Sequence, residues 1–387
     1  MREDRERIVG GLLVLSVTWL AVVSSMVAMV AQGALAARSP RPPSAPRPAA
    51  LAAPVFMLVG DSITQGSAGD FTWRYRLHTH LAATMTPVGS RVEFAGPRRD
   101  LYDLADHRHG NQDYADAKFD PDHNAIWGRL LADARAGIAA DVAEFRPTHL
   151  LVLLGINDVM TGAEPATVEA HLRQFVANAR AARPDLAIVL GTVLPTVRAQ
   201  TDSVVGGRVT EVNARLPAIA AALHTDSSPV VVADTAAGID TTADLYDGVH
   251  PNARGEVKIA AAYADTLAAR FGLGSPYPRP LPDVPAGPSV APVLTGTPGN
   301  GSARLAWTGS PGATGYWVWR RQVDTNGSAF ERLPTPLAAA DRQWTQAPLT
   351  NGVTYEYQVQ PAKFASDGAM SNVVRLTPDA SLPPAPR

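Results

Sequence analysis

Residues 55–66 run Val55-Phe56-Met57-Leu58-Val59-Gly60-Asp61-Ser62-Ile63-Thr64-Gln65-Gly66. Five apolar residues without polar alternation suit a strand buried on both faces of a parallel sheet, and the glycine, aspartate and serine that follow suit the turn into a helix. Similar apolar runs recur at 92–94, 150–154, 188–192 and 230–233. Between them, helical patterns at 134–145, 167–182 and 208–224 supply the crossovers that parallel strands require. The expected architecture over 55–272 is therefore a three-layer α/β/α domain with a parallel sheet.

The chain has 387 residues, 46% hydrophobic and 18% charged, enough for this domain and a smaller module. With 34 basic against 36 acidic residues and a formal net charge of -2, it carries no electrostatic footprint for nucleic acid, and a neutral or weakly polar partner fits better. It has no cysteine, which excludes disulfides, thiolate metal sites and a cysteine nucleophile.

Before the first strand, charged residues 1–7 precede an uncharged apolar run at 8–31, an export signal of roughly 24 residues that is long enough to span a bilayer. Ala34-Leu35-Ala36 also offers a peptidase-type site. Residues 1–37 are accordingly read as a signal peptide or membrane anchor, and membrane contact is expected through this segment alone. The expected location is outside the cytoplasm, secreted or membrane-anchored. Residues 38–54 and 273–292 are proline-rich and read as linkers. From 293 to 378, short aromatic and β-branched runs alternate with Gly, Pro and Asn-Gly turns, an all-β sandwich pattern, and 379–387 is a tail. Trp307, Tyr316-Trp317-Val318-Trp319 and the Leu349/Tyr355 pair resemble a fibronectin type III module with its tyrosine corner. Its aromatics are expected to pack mainly as core. Trp317 and Trp319 share one strand face and leave room for a sugar-stacking patch.

The chemistry gathers at strand ends, where α/β sheets form their ligand crevices. Ser62 lies at a helix start, whose free N–H groups and dipole favour negative charge beside the serine oxygen. In Gly155-Ile156-Asn157-Asp158, the Asn157 amide can stabilise an oxyanion without adding negative charge; Asp158 reads as structural. Gly96, in Ala95-Gly96-Pro97, permits a close backbone approach and a second N–H donor. In Asp247-Gly248-Val249-His250, the carboxylate can fold back onto one imidazole nitrogen and leave the other free for a serine. Of the nine histidines, His250 alone combines this spacing with a following helix start; Asp244 is a less well spaced rival to Asp247.

Together these blocks resemble the SGNH (GDSL) hydrolases, over roughly 55–271. The resemblance implies a flavodoxin-like fold, Ser62 as nucleophile, His250 as general base and Asp247 as its orienting acid. It also implies an oxyanion hole from the Ser62 and Gly96 N–H groups and Asn157, and hydrolysis through an acyl-serine. No cofactor is expected, and although the Asp and His content of the insert after Tyr102 permits a metal ion, no spacing supports a ligand set, so none is expected. Trp73-Arg74-Tyr75-Arg76-Leu77 and Phe94-Ala95-Gly96-Pro97 look like the carbohydrate-deacetylating, acetylxylan-esterase-type branch. Asp122-His123-Asn124-Ala125-Ile126-Trp127-Gly128 stands where that branch carries a histidine-rich loop. His123, Trp127 and Trp73 are thus candidate substrate contacts. The polar insert at 102–122 departs from the branch pattern and is a candidate substrate rim. The implied substrate is a small-molecule or polysaccharide ester, short acyl groups of carbohydrate or cell-wall glycan first. The alternatives are a lipid esterase or acyltransferase of the same fold, and a non-catalytic glycan-binding surface protein.

Overall fold

The computed structural model describes residues 53–85, 91–323 and 327–383. The expected signal or anchor, most of the first proline-rich stretch and residues 384–387 lie outside the described residues. No helix among the described residues is long and apolar enough to cross a membrane.

The first domain carries, in chain order, strands β1 (Val55–Gly60), β2 (Glu93–Phe94), β3 (Leu101–Asp103), β4 (Arg108–Asn111), β5 (Asn124–Ala125), β6 (His149–Leu153), β7 (Ala187–Gly191) and β8 (Val230–Ala233). Its helices are α1 (Ser62–Gln65), α2 (Thr72–Thr84), α3 (Leu131–Phe145), α4 (Ile156–Met160), α5 (Pro165–Ala182), α6 (Val197–Thr201), α7 (Ser203–Leu223) and α8 (Ala253–Phe271). The sheet is parallel with order β2-β1-β6-β7-β8, and β5 pairs with the carboxyl end of β1. Helix α2 packs on α8, while α5 packs on both α3 and α7. These two groups cover the two sheet faces, which is why nearly every residue of the strands is buried.

Local chemistry sets the helix ends. The Asp61 carboxylate caps α1 by accepting from Ile63 N at 3.0 Å. The Asn252 side chain accepts from Arg254 N and Gly255 N at the start of α8, and Gly272 ends that helix in the left-handed region at φ 65°. The predicted third strand begins and ends one residue earlier than its apolar run, because Leu154 and Gly155 leave the ladder to turn into α4.

The C-terminal module has strands β9 (Leu294–Gly299), β10 (Ser302–Trp307), β11 (Gly315–Gln322), β12 (Glu331–Arg332), β13 (Leu337–Ala338), β14 (Gln343–Gln346), β15 (Tyr355–Lys363), β16 (Ser366–Asp367) and β17 (Val374–Leu376). They form two antiparallel sheets, β14-β10-β9 and β12-β11-β15-β16, with β13 on β11 and β17 on β15. Trp307, Tyr316, Val318, Tyr355, Tyr357 and Val359 are buried between them, and Trp344 packs against this core. Thr350 N donates to the Tyr355 hydroxyl at 3.3 Å, closing the tyrosine corner. Trp317 and Trp319 depart from the expected core packing. They alternate outward on β11, beneath the Arg332 guanidinium, which lies 4.4 Å from the Trp317 ring centroid and 5.8 Å from that of Trp319.

The proline-rich stretch at 273–292 is strapped down along its length. Tyr277 N donates to Asp265 at 2.6 Å, and the Tyr277 ring lies on His80. Further on, Ala253 N donates to Ala286 O, while Gly287 N and Ala369 N link the strap to the β module.

Candidate active site

Strand β1 delivers Ser62 directly. Gly60 is required for the turn: a Cβ there would lie 2.1 Å from Thr64 Oγ1 and 3.1 Å from the backbone oxygen of Leu153. Ser62 is the first residue of α1 and nearly fully buried. The loop before α8 supplies the partners. One oxygen of Asp247 accepts from Val249 N at 3.0 Å and from His250 N at 2.8 Å, and the other lies 2.7 Å from His250 Nδ1. Gly248, at φ 85°, allows this reversal. His250 Nε2 stands 2.9 Å from Ser62 Oγ. A carboxylate against Nδ1 keeps the proton there, so the Nε2 lone pair faces the serine hydroxyl. Burial pushes the Asp247 carboxyl up, but the His250 charge and the hydrogen bonds from His250 and Val249 outweigh it and hold the group below its ordinary range.

Gly96 and Asn157 follow β2 and β6, the neighbours of β1 on either side. A Cβ on Gly96 would lie 2.3 Å from the carbonyl of His123, so only glycine lets the two backbones pass. Asn157 is nearly fully buried, and one of its amide hydrogens is directed to Arg129 O at 3.2 Å, which orients the group. The rival Asp244 is engaged elsewhere, with Lys258 Nζ at 2.5 Å and Asp240 N at 2.7 Å. Asp158 accepts from Leu131 N at 2.9 Å.

The expected substrate contacts divide. Trp73 is fully buried and stacks on Tyr263 at 4.8 Å, inside the α2–α8 interface, so it cannot reach a substrate. His123 is also fully buried: its Nε2 lies 2.9 Å from Asp100 O and its Nδ1 accepts from Ala125 N at 3.1 Å. Burial, with Arg74 nearby, holds its pKa well below the ordinary value, so it is a neutral wall behind Gly96 and corrects the expectation of substrate contact. Only Trp127 reaches the Ser62–His250 pair. Its ring lies between His250 and Tyr102, 4.3 Å from each, so both faces are covered and only an edge is free for substrate. Tyr246 lies on the other side of His250, at 5.6 Å and 18°.

Two further residues went unread in the sequence. Gln65 accepts from Trp127 N at 2.7 Å, and its amide nitrogen lies 3.1 Å from both Asp100 Oδ2 and His109 Nδ1. It thereby ties α1 to the β3–β4 hairpin, which begins the polar insert. Its place in the Gly60–Gly66 run was the available signal. Asp61 is almost wholly buried, and its Oδ2 has no hydrogen-bond partner among the described residues. Burial pushes this carboxyl up to about 7. Among the described residues, no group of three or more His, Asp or Glu is arranged to hold a metal ion.

A parallel sheet that brings a serine, an imidazole and a carboxylate into hydrogen-bonded sequence at its carboxyl edge defines an α/β domain of the serine-hydrolase type. The chain belongs to the GDSL-like lipase/acylhydrolase family, whose model matches residues 58–257. Over 242 residues it is 26% identical to a multidomain esterase of Ruminococcus flavefaciens; the match takes in 58% of this chain and 30% of that relative's length. Among solved structures, a carbohydrate esterase family 3 protein from Talaromyces cellulolyticus matches 56% of this chain and 97% of its own, at 28% identity and a TM-score of 0.46. A fibronectin type III-like protein from Clostridium thermocellum matches 23% of this chain and 92% of its own, at 21% identity and a TM-score of 0.21.

Proposed function

We propose that the chain is an extracytoplasmic serine esterase that removes short acyl groups, acetyl first among them, from carbohydrate or cell-wall glycan. The observation that carries the reading is the relay from Asp247 through His250 to Ser62, with separations of 2.7 and 2.9 Å. Ser62 Oγ attacks the ester carbonyl carbon as His250 Nε2 takes the hydroxyl proton, and Asp247 stabilises the imidazolium that forms. The Ser62 and Gly96 N–H groups and the Asn157 amide receive the oxyanion. His250 then gives its proton to the departing sugar oxygen, leaving an acyl-serine. Water, deprotonated by the same imidazole, attacks that acyl group, and the acid leaves as Ser62 recovers its proton. The near-neutral charge favours an uncharged polymer over an anionic one, and the apolar run at 8–31 supports export.

The test is release of p-nitrophenol from its acetate ester, with deacetylation of acetylated xylan and of peptidoglycan compared in parallel. Ser62→Ala is expected to lower kcat by roughly 10⁴-fold or more without loss of fold. Unchanged turnover in that variant removes the serine mechanism. A preference for long acyl chains favours the lipid esterase instead.

A further inference from the structure

The β module reaches the hydrolytic centre itself. Lys363 ends β15, Phe364 and Ala365 form the turn to β16, and all three touch the loops that carry Ser62 and His250. The Lys363 side chain is almost wholly buried, with Nζ 2.5 Å from Asp70 Oδ1, 2.7 Å from Ser67 Oγ and 3.2 Å from Ala68 O. These acceptors lie just beyond α1. The same ammonium stands 4.7 Å from the ring centroid of Tyr246, whose hydroxyl lies 3.1 Å from Ser67 Oγ. Ala365 N donates to Tyr246 O at 3.1 Å, and the Phe364 ring stacks on Tyr246 at 5.8 Å and 10°. Tyr246 in turn lies against His250, and its backbone N donates to His250 O at 3.0 Å. The rings of Tyr102, Trp127, His250, Tyr246 and Phe364 thus form one column, its last member contributed by the module.

Two features show that this contact is built in. The backbones meet directly: a Cβ on Gly312 would lie 2.1 Å from Ala68 O, and one on Gly69 would lie 2.2 Å from Pro311 O. Phe364 adopts φ 48°, in the left-handed region where glycine is the ordinary choice, and half of its surface is exposed. The two-residue turn between the paired Lys363 and Ser366 calls for φ above zero at this position, and the chain sets there, in place of the usual glycine, a ring that lies on Tyr246.

We propose that the β module is a working part of the esterase centre, in which Lys363 and Phe364 act as positioning residues that clamp Tyr246 and thereby hold the His250 imidazole against Ser62. The proposal rests on the serine esterase reading above and deepens it. A module that only tethers the enzyme to polymer leaves turnover of a small soluble ester untouched. A clamp on the general base does not, since misplacement by about 1 Å can cost about 10²-fold in rate.

The test uses the full chain and p-nitrophenyl acetate. Phe364→Gly relieves the backbone conformation, so a purely structural role predicts an equal or higher melting temperature and unchanged turnover. The clamp predicts that kcat falls by about tenfold or more while KM and the melting temperature hold, and that Phe364→Tyr, which keeps the ring, restores kcat. The double variant Lys363→Met with Asp70→Asn removes both buried charges together, leaves neither unpaired, and is expected to lower kcat in the same way. Full kcat in Phe364→Gly and in the double variant overturns the clamp alone. A wild-type chain without turnover, or turnover indifferent to Ser62→Ala, overturns the esterase reading instead.

Discussion

Asp61 sits one residue before the proposed nucleophile yet makes no contact with His250 that the mechanism uses. Its carboxyl loses its proton near 3.8 when free and at about 7 in the folded chain, because burial disfavours the charged form. Between those values the folded protein keeps a proton that the unfolded chain has released. Stability therefore falls as pH rises from about 4 to about 7 and levels above that, a contribution of roughly 3–5 kcal/mol. Asp61→Asn keeps an oxygen for Ile63 N and carries no charge. Its stability relative to wild type is expected to be flat below pH 4, to climb through that window and to plateau above it, read by denaturant unfolding across a pH series. A constant offset at every pH would show that Asp61 is not the titrating group.

At the scale of elements, the short strand β5 locks the loop after β2 in place. It pairs Asn124 with Val59, and its neighbour His123 blocks any side chain at position 96. Gly96→Ala meets backbone rather than a movable side chain, so it is expected to cost about 1–3 kcal/mol. For a domain of this size that lowers the melting temperature by about 2–10 °C. Gly207→Ala on α7 is the opposite case: nothing lies within 4 Å of the added methyl and no positive φ is required, so helix propensity stabilises it by about 0.5–1 kcal/mol. Equal shifts from the two variants, read by thermal melting, would discount the close approach. The same elements explain what could be read from sequence. Strands buried on both faces announce themselves as continuous apolar runs, and Asp247 and His250 are local enough to be read by spacing. Trp73 and His123 were misread because their burial is settled by partners distant in sequence. Tyr263 on α8 covers Trp73, and the backbone oxygen of Asp100 accepts from His123. The role of Arg74 on α2 was hidden for a similar reason: it is fully buried and bonds the backbone oxygens of Thr64, Gln65 and Pro121, a fate that no local pattern of a charged residue indicates.

For the whole molecule, composition alone suggests two bodies joined by a free proline-rich spacer, and the apolar cores are indeed separate. Such an arrangement would unfold in two steps. The contacts between the bodies argue otherwise. Lys363 makes three hydrogen bonds across the junction, Ala365 N bonds Tyr246 O, Asn252 reaches Ser366 Oγ at 3.3 Å, and the strap bonds α8 through Tyr277 N and Ala286 O and the β module through Gly287 N and Pro288 O. At about 0.5–1.5 kcal/mol for each such bond, and with Gly69 packed directly on Pro311, the coupling amounts to several kcal/mol. Since each 1.4 kcal/mol is a factor of about ten, a state with one body unfolded and the other intact is suppressed by about 10³ or more. Calorimetry of the intact chain is therefore expected to show one transition with equal calorimetric and van't Hoff enthalpies. A chain ending after Gly272 is expected to melt below the intact protein, since it loses both strap and module. Two resolved transitions, or an unshifted midpoint in the shortened chain, would show that the bodies are energetically independent despite their close packing.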